Sequence, residues 1–96
     1  MTTVRGLVPT PNGGKYVRQL CKHWSHKLDT SLDGETGTIR FPAAVVTFDA
    51  REDVIALDIT GDDPAEIERL RGVVERHLDR FAFREAPLQY DWLEAA

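Results

Sequence analysis

The sequence predicts an α+β fold, an antiparallel sheet with two helices on one face, in the order β-α-β-β-β-α-β. Three observations point there. Apolar residues recur at helical spacing in two stretches, 16–24 and 67–81. Between them lie three extended segments separated by turn-forming residues. A chain of 96 residues, 42% hydrophobic and 29% charged, has enough apolar material for one two-layer core and little more. It is read as one domain over residues 1–96.

Taken in order, Thr3 to Val8 has strand character and is closed by Pro9. Thr10 and Pro11 then form a helix start, with Thr10 as N-cap and Pro11 at the first helical position, where its missing N–H costs nothing. Tyr16, Val17, Leu20, Cys21 and Trp24 make the apolar face of this helix, and Lys15, Arg18 and Lys22 the opposite one. Gly13 and Gly14 weaken its first turn by about 1 kcal/mol each. Its end is expected near Ser25 or His26.

Lys27 to Leu32 is the first extended segment and runs into Asp33-Gly34-Glu35, a hairpin signal. Thr38 to Ala50 is the second, bent at Pro42. Val54 to Thr60 is the third, after Arg51-Glu52-Asp53, with Ile55, Leu57 and Ile59 on one side. Asp63-Pro64-Ala65-Glu66 opens the second helix as a capping box in which Glu66 reaches back. Ile67, Leu70, Val74, Leu78 and Phe81 mark its core face. Leu88, Tyr90 and Trp92 alternate with polar neighbours as a last strand behind Pro87.

Net charge is −4, unevenly spread. Residues 1–28 hold no Asp or Glu but carry Arg5, Lys15, Arg18, Lys22 and Lys27. Such asymmetry marks a binding face, and the overall acidity favours a small anion over nucleic acid. No apolar run approaches the ~18 residues of a membrane span, and the first residues lack the apolar core of a signal peptide. The lone Cys21 suits a reducing compartment, so the expected location is cytoplasmic, without membrane contact.

Reactive side chains are densest at Cys21-Lys22-His23-Trp24-Ser25-His26-Lys27. As a metal motif it is weak, because positions 21 and 23 lie about 200° apart on a helix. His23 and His26 share a face, but a zinc site needs three or four ligands. No metal and no cofactor are therefore expected. The alternative use of both histidines is to cap the helix C-terminus. His77 sits at the edge of the second apolar face, and Arg76, Arg80 and Arg84 form a basic stripe if that helix extends so far, with Asp79 and Glu85 as surface partners. No phosphate loop, nucleophile elbow or paired-carboxylate motif is present.

Residues 19–27, Gln-Leu-Cys-Lys-His-Trp-Ser-His-Lys, and 74–85, Val-Glu-Arg-His-Leu-Asp-Arg-Phe-Ala-Phe-Arg-Glu, with the closing Leu88-x-Tyr90-x-Trp92, together resemble the bacterial domain of unknown function 2218 family. That resemblance implies a TATA-binding-protein-like α+β arrangement and, from members joined to siderophore-interacting reductase domains, an association with siderophore handling and such a reductase as partner. It implies no established activity. Its two motifs fall on the helix ends already singled out, and His23, His26, Lys27, His77, Arg80 and Arg84 are expected to share one ligand pocket.

The function expected is a non-catalytic binding module for a small anionic ligand. A small His-based or metal-dependent enzyme and a structural or dimerisation module are the alternatives.

Overall fold

The computed structural model describes residues 2–94, and the α+β expectation holds. Its elements are β1 (Thr2–Pro9), α1 (Gly13–Trp24), β2 (Asp29–Asp33), β3 (Thr36–Phe41), β4 (Ala44–Ala50), β5 (Val54–Gly61), α2 (Pro64–Phe81) and β6 (Asp91–Glu94). The six strands form one sheet in the order β2-β3-β4-β5-β1-β6, with every neighbouring pair antiparallel.

The bend expected at Pro42 is a full reversal. Phe41 pairs with Ala44, so Pro42 and Ala43 are a two-residue turn and the segment from Thr38 to Ala50 is two strands rather than one. Proline fixes φ where the first inner position of such a turn needs it. At the other hairpin Gly34 has φ +60°, the left-handed region that makes Asp-Gly a turn signal.

Register explains why both helices lie on one side. Val4 and Val46 both face Ile59, and Ile39 faces Val46, so the alternate residues of β1, β3, β4 and β5 build one apolar surface. Leu20 and Trp24 of α1 and Ile67, Leu70, Val74 and Leu78 of α2 are buried against it. The opposite face carries polar pairs such as Arg5 with Asp58, at 2.9 Å, and Thr3 with Thr60. Cys21 is buried beneath β3, where a Cβ added at Gly37 would lie 2.6 Å from its Sγ, and burial pushes its thiol pKa up. It is a packing residue, not a nucleophile.

Three local expectations need correction. α1 begins at Gly13, not Pro11, and its N-cap is Asn12 without a side-chain bond. Thr10 is instead turned inward, accepting from Asn12 N–H at 3.1 Å while its own hydroxyl donates to Glu85. At α2, Asp63 accepts from Ala65 N–H at 3.0 Å as a cap should, but Glu66 bonds Arg69 instead of reaching back. A charged partner one turn away outcompetes the neutral backbone N–H. The last strand begins later than expected: Leu88 is buried ahead of it, and β6 pairs with β1 only from Asp91. Among the described residues no helix is long and apolar enough to cross a membrane.

Candidate functional site

Contacts between the helices step backwards along α2 as α1 advances. Tyr16, early in α1, meets Glu85 beyond α2, whereas His23, late in α1, meets Phe81 and His77. The helices therefore run in opposite senses, and each end of α1 has its own partners near the C-terminal part of α2.

At the Tyr16 end the Glu85 carboxylate is fully engaged. It accepts from the Thr10 hydroxyl at 2.8 Å, from Asn12 Nδ2 at 3.0 Å and from the Tyr16 hydroxyl. These donors, Tyr16 first, hold its pKa below the usual carboxylate range. Tyr16 is raised in turn. Glu85 was expected to offset the arginine stripe, as was Asp79. Neither does so: Asp79 accepts from Leu88 N–H at 3.1 Å and from the Tyr90 hydroxyl at 2.8 Å.

At the other end the rings gather. The centroids of His23 and His77 are 5.4 Å apart, those of His23 and Phe81 5.8 Å, and those of Trp24 and His77 4.6 Å. His77 is half-buried, and its Nδ1–H donates to the Val73 carbonyl at 2.7 Å. That bond fixes the tautomer and leaves Nε2 as the free nitrogen. Partial desolvation lowers the His23 pKa, and the positive fields of His77, Arg80, Lys27 and His26 lower it further.

His23 lies in the last turn of α1, as the capping alternative requires, while the carbonyls there are bonded by other groups. The N–H groups of Ser25, Lys27 and Leu28 bond the Cys21 and Trp24 carbonyls, and the Ser25 hydroxyl bonds the Lys22 carbonyl at 2.8 Å. An open groove of about 370 Å³ runs beside both imidazoles, lined by Gln19, Lys22, His23, His26 and Phe81.

His26, Lys27, His77 and Arg80 thus all act electrostatically on His23, whereas Arg84 is not among the groups that do. α2 ends at Phe81, three residues before Arg84. Arg84 then sits over the exposed Phe83 ring at 5.7 Å and acts on Tyr16, at the closed end. Sequence reasoning missed Gln19 and Lys22 as groove residues, although Gln19, Lys22 and His26 at i, i+3, i+7 form one helical stripe. Among the described residues no group of three or more His, Cys, Asp or Glu is placed to hold a metal ion.

Residues 5–93 match a family model described as "Uncharacterized protein conserved in bacteria (DUF2218)". The chain belongs to this family. The fold is similar to that of PA4090 from Pseudomonas aeruginosa, determined by NMR, with a TM-score of 0.83 and 30% sequence identity over 97% of this chain and 96% of that one. No curated protein matches the chain. The comparisons show the fold and the family.

Proposed function

We propose that this domain binds a small organic or inorganic anion in the groove at the C-terminal end of α1, without catalysing a reaction on it. The observation that carries this reading is how the cations are divided. Arg5, Arg18, Arg40, Arg51, Arg69 and Arg71 each pair with a carboxylate. Six basic residues have no ion pair among the described residues, and three of them, Lys22, Lys27 and Arg80, are grouped around His23, the others being Lys15, Arg76 and Arg84. The two acidic residues expected to pair with the arginine stripe, Asp79 and Glu85, are held by other hydrogen bonds. Like charges placed together without a counter-charge leave a positive potential that an external anion relieves. Imidazole N–H groups add donors that strengthen as they charge.

An NMR titration of the histidine rings with acetate, inorganic phosphate and benzoate tests the reading. Binding of at least one probe should shift the His23 and His26 resonances, and His26→Ala or Arg80→Ala should weaken it about 10- to 100-fold. No shift with any probe at any pH between 5.5 and 7.5 overturns it. The association with siderophore handling rests on the family resemblance, and a carboxylate-bearing siderophore is one further anion for the same titration.

A further inference from the structure

His23 stands where the groove meets the contact between the two helices. Its ring lines the groove together with Lys22 and His26. On its other side the ring centroid is 5.4 Å from that of His77 and 5.8 Å from that of Phe81, both on α2. The two histidines of this contact are not equivalent. His77 is half-buried, does not line the groove and commits its Nδ1–H to the Val73 carbonyl. His23 is exposed, and neither of its ring nitrogens has a hydrogen-bond partner among the described residues.

The charges that act on His23 come from both helix ends and have one sign. They are His26 and Lys27 beyond the end of α1, and His77 and Arg80 on α2. From the sheet side the Phe41 ring meets Trp24 at 5.5 Å, and no charged group of the sheet acts on His23. No carboxylate is among the groups that do. A proton placed on this ring therefore meets partial desolvation and then repulsion, with nothing to offset them, and its pKa lies below the ordinary imidazole value. An anion in the groove brings the first negative charge to its side and reverses that balance.

We propose that binding in the groove is proton-linked: the anion and a proton on His23 are taken up together, so that affinity rises as pH falls. This rests on the anion-binding reading above and adds the regulation of that site. Linkage makes the effect reciprocal, since the factor by which the proton raises anion affinity is the factor by which the anion raises proton affinity. Well above the imidazole range His23 is neutral with or without anion, and affinity is flat. It climbs as pH falls through the range in which the anion-bound ring takes its proton, and levels off once the empty protein is protonated as well. A coupling of about tenfold is expected where a charge pair forms close to solvent.

NMR of the histidine rings in the full chain follows the titration midpoint of His23, first alone and then with saturating acetate, benzoate or inorganic phosphate. With any probe that binds, the midpoint should rise by about one pH unit. In parallel, the affinities for acetate and benzoate, which stay ionised over this range, should be about tenfold higher at pH 5.5 than at pH 8. His23→Gln, which removes the titrating ring, should flatten that profile, whereas His26→Gln should leave most of its slope. Equal affinity at both pH values, or a His23 midpoint that stays in place in the saturated protein, overturns the linkage and leaves the anion-binding reading standing. A slope that persists in His23→Gln assigns the proton to another group and overturns it too. If no probe binds at any pH, the anion-binding reading falls and the linkage with it.

Discussion

The two ends of α1 are built from similar materials and put to different uses. At the Tyr16 end a carboxylate is surrounded by three donors, Thr10, Asn12 and Tyr16. At the His23 end imidazoles and cations crowd together, and among the described residues no carboxylate forms an ion pair with Lys22, Lys27 or Arg80. One family motif, running from His77 through Arg80 and Phe81 to Arg84 and Glu85, serves both. Its first part faces the groove and its last part locks the turn after α2 to the start of α1. A run of polar residues on one helix is therefore no unit of function. The point where the helix stops, at Phe81, divides the motif.

The largest expected effect lies at the closed end. Glu85→Ala leaves the buried Thr10 hydroxyl and the Tyr16 hydroxyl without their acceptor, and unfolding in urea should show a loss of about 2–4 kcal/mol. Anion binding in the groove should change less than about twofold, because Glu85 faces away from it. A Glu85→Ala protein of unchanged stability would mean that this end is no lock, and the contrast would collapse.

The ends should also fail in different pH windows. Glu85 titrates below its ordinary value, so its contribution is complete above the usual carboxylate range and disappears only as pH falls through the lower folded value. His23 titrates below the ordinary imidazole value of about 6.5, so the unfolded chain binds its proton more readily than the folded one. Stability is then complete above pH ~6.5 and falls as pH drops below it. Without ligand, urea midpoints should decrease between pH 7.5 and 5.5, His23→Gln should flatten that decrease, and added benzoate should oppose it. A decrease that persists undiminished in His23→Gln assigns the proton to another group and breaks the argument for an electropositive groove.

Much of this was legible in the sequence, and the gaps have definite causes. The buried faces of both helices follow from 3.6-residue spacing, which depends only on the residues themselves, and Leu20, Trp24, Leu70 and Val74 are buried accordingly. The second strand segment was counted once instead of twice because Pro42-Ala43 lacks the Gly or Asn by which two-residue turns are recognised. The sequence singled out His23, His26, Lys27, His77 and Arg80 as an acid-free basic segment beside a basic helix, and the structure brings the last four within electrostatic reach of the first. Glu85 and Asp79 were misread as partners of the arginines. Their real partners, Tyr16 and Tyr90, lie 69 and 11 residues away and are reached only once the chain has turned. Spacing predicts neighbours on one helix and says nothing of neighbours brought by a turn.

Arg84 carries the smallest expected effect and the sharpest discrimination. By sequence it belongs with Arg80, one helical turn on, and both were expected to reach the same ligand. By structure it lies past the end of α2, exposed, over a phenyl ring that is itself 71% exposed. A cation–π contact at such a site is worth no more than about 0.5–1 kcal/mol, and solvent screens its charge from the groove. Arg84→Gln should therefore change stability by less than about 1 kcal/mol, and anion affinity by less than about twofold, while Arg80→Ala weakens the same probe at least tenfold. Parallel titrations of the two variants with benzoate decide the matter. Equal losses would mean that the residues after α2 swing round to the His23 end when ligand arrives, and the division of the motif at Phe81 would describe only the empty protein.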